Sequence, residues 1–122
     1  MEKIETTNAP GAIGPYSQGY VTNGFIYTSG QIPIDPATGD IPEGIAAQTE
    51  RSCKNVVAIL EAAGSCAEKV VKTTCFLAEM GDFSQFNEVY ARFFTGKPAR
   101  SCVAVKQLPK GVLCEIEAIA EV

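Results

Sequence analysis

The chain has 122 residues, 46% of them hydrophobic and 20% charged, so we expect one globular domain over residues 1–122. Its net charge is −4 and its ten lysines and arginines are scattered, which argues against a nucleic-acid partner. The sequence contains no histidine, which excludes Ser-His-Asp and Cys-His catalysis and histidine-ligated metals.

Cysteine usage and the N-terminus indicate the cellular compartment. The five cysteines are odd in number and form no CxxC pair, which argues against a disulfide framework and against a zinc site. The segment MEKIETTNAPG has no apolar signal core, and the chain has no run of about 20 apolar residues that could span a membrane. We therefore expect a cytoplasmic protein with no membrane partner and no metal.

The first half of the chain predicts a hairpin, a loop and a helix. Residues 19–29 contain two β-prone runs around Asn23-Gly24, a strong hairpin signal. Residues 31–44 carry three prolines and two glycines, which predicts an irregular loop. Residues 45–63 have the apolar spacing of a helix, and Gly64 is a typical C-terminal stop.

The second half predicts a strand, a helix and two further strands. Residues 70–77 (VVKTTCFL) are β-branched, and DFSQFNEVYARFF, which follows Gly81, has one apolar stripe at helical spacing. Residues 99–106 and 112–121 read as strands joined by a turn at LPKG. This order indicates an α+β domain with both helices on one face of a mixed sheet, which leaves the other face open for self-association.

The last two strands contain the residues of greatest chemical interest. If residues 108–111 form a hairpin turn, Arg100 and Cys102 share a sheet face with Glu115 and Glu117. Such a group could bind a small carboxylate through Arg100 while a glutamate handles protons on water. The alternative is a cross-strand ion pair on a solvated face. Cys102 has no histidine to activate it, which argues against a nucleophilic role.

Two segments near the N-terminus offer further candidates. In AIGPYSQG, Tyr16 is either a phenol at the edge of a site or a half-buried anchor. In TSGQIP, Gly30 either lets a ligand approach backbone N–H groups or serves a plain turn.

The segment PARSCVAVKQLPKGVLCEIEAIA resembles the C-terminal signature of the RidA/YjgF family of enamine/imine deaminases. GPYSQG, TSGQIP and NVVAILEAAG also resemble blocks of that family in the same order, so the similarity covers essentially the whole chain. The resemblance implies a chorismate-mutase-like α+β sandwich and a homotrimer with active sites between subunits. It also implies cofactor-independent hydrolysis of 2-iminobutanoate and 2-iminopropanoate to 2-oxo acids and ammonia.

The resemblance also assigns roles to individual residues. Arg100 matches the arginine that grips the substrate carboxylate, and Glu115 matches the carboxylate that positions water. Tyr16 matches the tyrosine of the GPY block and is expected to be catalytic together with Arg100 and Glu115. The matches that line the pocket or lie near the ligand are Tyr16, Ser29, Gly30 and Cys102. Two other functions stay open, a ligand-binding regulatory trimer without turnover and a ribonuclease, the latter disfavoured by the acidic pI and the missing histidines.

Overall fold

A computed structural model describes residues 1–122 as one six-stranded mixed sheet covered by two long helices. The strands are β1 (Glu2–Ile4), β2 (Gly19–Thr22), β3 (Phe25–Thr28), β4 (Val70–Leu77), β5 (Ala99–Ala104) and β6 (Cys114–Glu121), and the helices are α1 (Ile45–Ala62) and α2 (Phe83–Phe93). Their order across the sheet is β1-β2-β3-β6-β4-β5. The predicted α+β class is confirmed, and so is the order of the elements from β2 to β6, whereas β1 was not predicted.

Local signals in the sequence account for the ends of two elements. Asn23 and Gly24 join β2 to β3 with φ angles of 51° and 82°, as a two-residue hairpin turn of the mirror-image type requires. Gly64, at φ 82°, follows α1, and the next amide, that of Ser65, donates back to the carbonyl of Leu60. Both predictions, the hairpin and the helix stop, are confirmed.

The core lies between the helices and one face of the sheet. Alternate residues of β6 are buried, namely Cys114, Ile116, Ala118 and Ala120. The hydroxyl oxygens of Thr49 and Ser52 on α1 lie 3.9 and 3.8 Å from the Cys114 sulfur. On α2, the Tyr90 hydroxyl hydrogen-bonds to the Thr73 hydroxyl of β4 at 2.6 Å. Both helices therefore pack on the same face of the sheet, as predicted.

The predicted final hairpin is wrong. β5 is an edge strand that runs parallel to β4, and β6 lies between β3 and β4, antiparallel to both. β4, α2 and β5 form a crossover unit, which is how parallel neighbours are connected. β6 then fills the position left open between β3 and β4, so β5 and β6 do not pair. A hairpin turn at residues 108–111 would place residue 102 opposite 117 and residue 104 opposite 115, and neither pairing exists.

The face of the sheet opposite the helices is open and mixed in character. Its apolar side chains include Tyr27 and Val103, which are 44% and 46% exposed, and Glu115 and Glu117 lie on the same face. This is the partly apolar, partly charged face predicted from the sequence. Neither helix has both the length and the apolar character needed to cross a membrane.

Candidate functional site

A cleft of about 620 Å³ at the end of the open face collects four of the six predicted site residues. Tyr16, Ser29, Gly30 and Glu115 all line it. They come from distant parts of the sequence: the loop before β2, the loop after β3, and the second residue of β6. The sheet brings them together because β3 and β6 are neighbours.

Glu115 lies directly against Gly30. A Cβ atom added at Gly30 would overlap with Oε2 of Glu115 and would lie 2.9 Å from its Cδ atom. Real Cβ atoms do not approach neighbours so closely, so the carboxylate occupies space that only glycine leaves free. Partial burial raises the pKa of the Glu115 carboxyl above its ordinary value, and the nearby charge of Glu117 raises it further. Glu115 is thus a carboxylate suited to accepting a proton.

Backbone pairing holds Gly30 beside Glu115. The amide of Gln31 donates to the carbonyl of Ile116, and the amide of Ile116 donates back to the carbonyl of Gln31. The Gly30 amide, which precedes this pair, has no hydrogen-bond partner within the chain. The Gln31 side chain donates to the Ser29 hydroxyl at 3.1 Å. The loop therefore brings a backbone amide without a partner and a hydroxyl held by Gln31 to the cleft that the Glu115 carboxylate lines.

Buried amide side chains hold the loops that line the cleft. Gln18 accepts from the Thr6 amide at 2.7 Å and donates to three carbonyls in the segment 6–10. Asn55 on α1 donates to the carbonyls of Ile32 and Ile34 at 3.1 and 2.9 Å. Sequence reasoning missed these residues. For Asn55 the sequence offered one signal, its position on the apolar face of α1. For Gln18 it offered none, because Gln18 bonds to irregular backbone whose path the sequence does not reveal.

Arg100 and Cys102 do not join this cleft, contrary to the prediction that they share a face with the two glutamates. Arg100 pairs in register with Thr73 and Cys102 with Cys75, both buried on the helix side of β4. Glu115 pairs with Phe76, so its side chain lies on the open side. The error follows from the wrong hairpin, because inserting β4 between the two strands changes which residues share a face.

Arg100 occupies a separate groove of about 430 Å³ along α2 and the start of β5. Its Nη1 donates to the side-chain oxygen of Asn87 at 2.7 Å, and its guanidinium lies 4.9 Å from the centre of the Tyr90 ring. The ion pairs of the chain join other residues, so no carboxylate neutralises Arg100. A partly buried guanidinium without a counter-ion is a candidate anion site.

Cys102 lies two residues beyond Arg100 on the same face of β5, where it is partly buried and packs against the core. Burial raises the pKa of its thiol, and the Arg100 charge offsets that effect only in part. The thiol is therefore a poor nucleophile near neutral pH.

A family model described as "Endoribonuclease L-PSP" matches residues 6–122. The 2-iminobutanoate/2-iminopropanoate deaminase of Escherichia coli K12 is 53% identical over 121 residues, which cover 96% of this chain and 94% of that protein. A candidate regulator, AldR, from Lactococcus lactis is 54% identical and spans 100% of this chain and 98% of its own length.

Among solved structures, Escherichia coli TdcF with bound serine superposes with a TM-score of 0.97 at 48% identity, covering 100% of this chain and 99% of that chain. This likeness confirms the chorismate-mutase-like α+β fold expected from the resemblance.

Proposed function

The chain belongs to the RidA/YjgF family, and on that premise we propose that it hydrolyses reactive 2-imino acids and their enamine tautomers to 2-oxo acids and ammonia. No cofactor takes part in this reaction, and the substrates include 2-iminobutanoate and 2-iminopropanoate. The observation that carries the proposal is the Glu115 carboxylate, which lies in a cleft with a free backbone donor and has a raised pKa. The 53% identity to a protein named as a deaminase of these substrates supports it.

The reaction needs orientation and one proton-handling group. Water adds to the electrophilic C2 atom of the iminium, and Glu115 accepts the proton that this water loses. Glu115 then returns that proton to the nitrogen of the resulting carbinolamine, so ammonia leaves as the C–N bond breaks, and the hydroxyl proton is released as the C2–O bond becomes a carbonyl. Arg100 binds the substrate carboxylate through charged hydrogen bonds, each worth roughly 1.5–3 kcal/mol. The Gly30 amide, Ser29 and Tyr16 line the space around the reacting atoms.

A complete site requires a second copy of the chain. Arg100 lies on the helix side of the edge strand β5, whereas Glu115 faces the cleft on the open side, so one chain offers two separate halves. We infer that the protein is a homotrimer in which Arg100 and Cys102 of one subunit complete the cleft of the next. The open face, with its exposed Tyr27 and Val103, supports such an assembly.

Two variants test both the roles of Arg100 and Glu115 and the proposal that the site is shared between subunits. The imine is generated in situ by a threonine dehydratase in the presence of semicarbazide, which traps the imine as a semicarbazone. Enzymatic hydrolysis removes the imine and so lowers the rate of semicarbazone formation. Arg100→Ala and Glu115→Gln should each lose most activity. Refolding the two variants together should restore about a quarter of the wild-type sites, because a mixed interface can combine an intact arginine with an intact glutamate. Undiminished activity in Arg100→Ala would contradict its role as carboxylate ligand, and failure of the mixture to recover would contradict the shared site.

A ligand-binding regulator without turnover is the second candidate, because AldR, 54% identical, bears a regulator's name. Saturable binding of a 2-oxo acid by a protein that gives no rate enhancement would favour it. The name of the family model also suggests a third candidate function, that of a ribonuclease. The net charge of −4 and the absence of histidine argue against that activity, and an RNA-cleavage signal lost on further purification would dispose of it.

A further inference from the structure

The Arg100 guanidinium is held by one stripe of α2. Phe83, Asn87 and Tyr90 are spaced by four and three residues, so they project from the same side of the helix. The centre of the guanidinium lies 5.4 Å from the Phe83 ring and 4.9 Å from the Tyr90 ring. Between these rings, the Asn87 oxygen accepts a hydrogen bond from Nη1 at 2.7 Å. Three side chains of one rigid element thus restrain a long and otherwise flexible arginine.

The restraint is anchored in the core. The hydroxyl of Tyr90 hydrogen-bonds to the buried Thr73 at 2.6 Å, and Thr73 is the register partner of Arg100 on β4. Burial raises the pKa of the Tyr90 phenol to about 12, so the ring stays neutral beside the guanidinium. Both rings beside Arg100 are therefore neutral.

The chemistry of the hydrogen-bond partner is the informative feature. Arginine in a partly buried site is usually paired with a carboxylate, yet here the acceptor is an amide and no carboxylate lies within ion-pair distance. A carboxylate at position 87 would orient Arg100 equally well, but it would neutralise the charge and compete with an anionic ligand. An amide orients the group and leaves its charge available.

We propose that Asn87 is a positioning residue for the carboxylate-binding Arg100, and that its neutrality is the property required. This inference rests on the proposed function, since it assumes that Arg100 binds the substrate carboxylate. Asn87 acts through Arg100: it occupies Nη1 and leaves the remaining guanidinium N–H groups for the ligand.

The test compares the affinity for 2-oxobutanoate, measured by titration calorimetry, with the rate of imine hydrolysis. Asn87→Ala should weaken both by about ten-fold, the effect of losing one charged hydrogen bond to a positioned group. Asn87→Asp should weaken them further, although it keeps the size and the acceptor oxygen of asparagine. Gln85→Ala is the matched control, because Gln85 is an exposed amide on the same helix, and it should behave as wild type.

Several outcomes separate a positioning role from a structural one. If Asn87 only supported the fold, the Asn87→Asp variant would bind 2-oxobutanoate as tightly as the wild-type protein. That result would overturn the inference. In an Arg100→Ala background, Asn87→Ala should have no further effect, and an additive loss would also overturn it. Thermal denaturation checks that the variants are folded. If the wild-type protein neither binds 2-oxobutanoate nor hydrolyses the imine, the proposed function fails and the inference with it. If only the Asn87 variants are unaffected, the inference alone fails.

Discussion

Replacing Gly30 with alanine should separate catalysis from stability. The added methyl group would collide with the Glu115 side chain, since the three atoms nearest to an ideal Cβ all belong to that residue. Gly30 has no positive φ angle, so alanine fits the backbone without strain. The protein can therefore fold normally, but the end of the Glu115 side chain must move.

The size of that movement determines how much catalytic activity we expect the variant to lose. The Cβ atom would overlap with Oε2 and lie 2.9 Å from Cδ and 3.3 Å from Cγ, so the carboxylate has to retreat rather than rotate in place. Restoring ordinary van der Waals contact requires a shift of about 1 Å or more, and a misplacement of that size costs about 100-fold in rate. The free energy of unfolding should change by less than about 1 kcal/mol, because alanine restricts the unfolded chain.

The assay is imine hydrolysis, with urea denaturation in parallel. Gly11→Ala is the matched control: Gly11 lines the same cleft, has no positive φ angle, and has no atom within 4 Å of an added Cβ. It should retain wild-type activity. In a double-mutant cycle, the shorter carboxylate of Glu115→Asp should relieve the collision, so the combined loss should be smaller than the product of the single losses. Full activity in Gly30→Ala would refute the catalytic placement of Glu115, and a large loss of stability would show that the methyl group meets more than this side chain.

Three further outcomes follow from the same contacts. Because the proton acceptor must be ionised, kcat/KM should fall as pH is lowered through the raised pKa of Glu115, and Glu117→Gln should move this limb of the pH–rate profile to lower pH by removing a like charge. Gln18→Ala should lower the free energy of unfolding in urea by about 2–4 kcal/mol, since four hydrogen bonds to loop backbone are lost; a change below about 0.5 kcal/mol would contradict this. Cys102→Ala should keep activity within several-fold, whereas a loss of 100-fold or more would indicate covalent catalysis.

The fold was predictable wherever short-range signals decide it. The Asn23-Gly24 turn, the stop at Gly64 and the apolar faces of both helices are local properties, and each is present as expected. Strand order is not a local property. The prediction paired β5 with β6 because they are consecutive, and consecutive strands are neighbours only about two-thirds of the time. The helix between β4 and β5 was the available sign of a parallel crossover.

The candidate site was predictable in its members but not in its arrangement. Alternation along a strand correctly placed Glu115 and Glu117 on one face of β6 and Arg100 with Cys102 on one face of β5. Alternation could not show whether the faces of β5 and β6 are on the same side of the sheet, because that depends on β4, which lies between them. The supporting amides, Gln18 and Asn55, hold irregular backbone, and only Asn55 lies at a position that the helical pattern marks, on the apolar face of α1.

The choice between the two glutamates illustrates what the structure adds. Both lie on the open face of β6, and strand alternation treats them alike. Only Glu115 lines the cleft, because it is the residue at which Gly30 leaves room for a side chain from the neighbouring strand. Glu117, one step along the same face, lies opposite Thr74 and acts on Glu115 through its charge. On the proposed function, the missing side chain at position 30 thus selects which carboxylate meets the substrate, and the charge of Glu117 raises the pH at which that carboxylate accepts a proton.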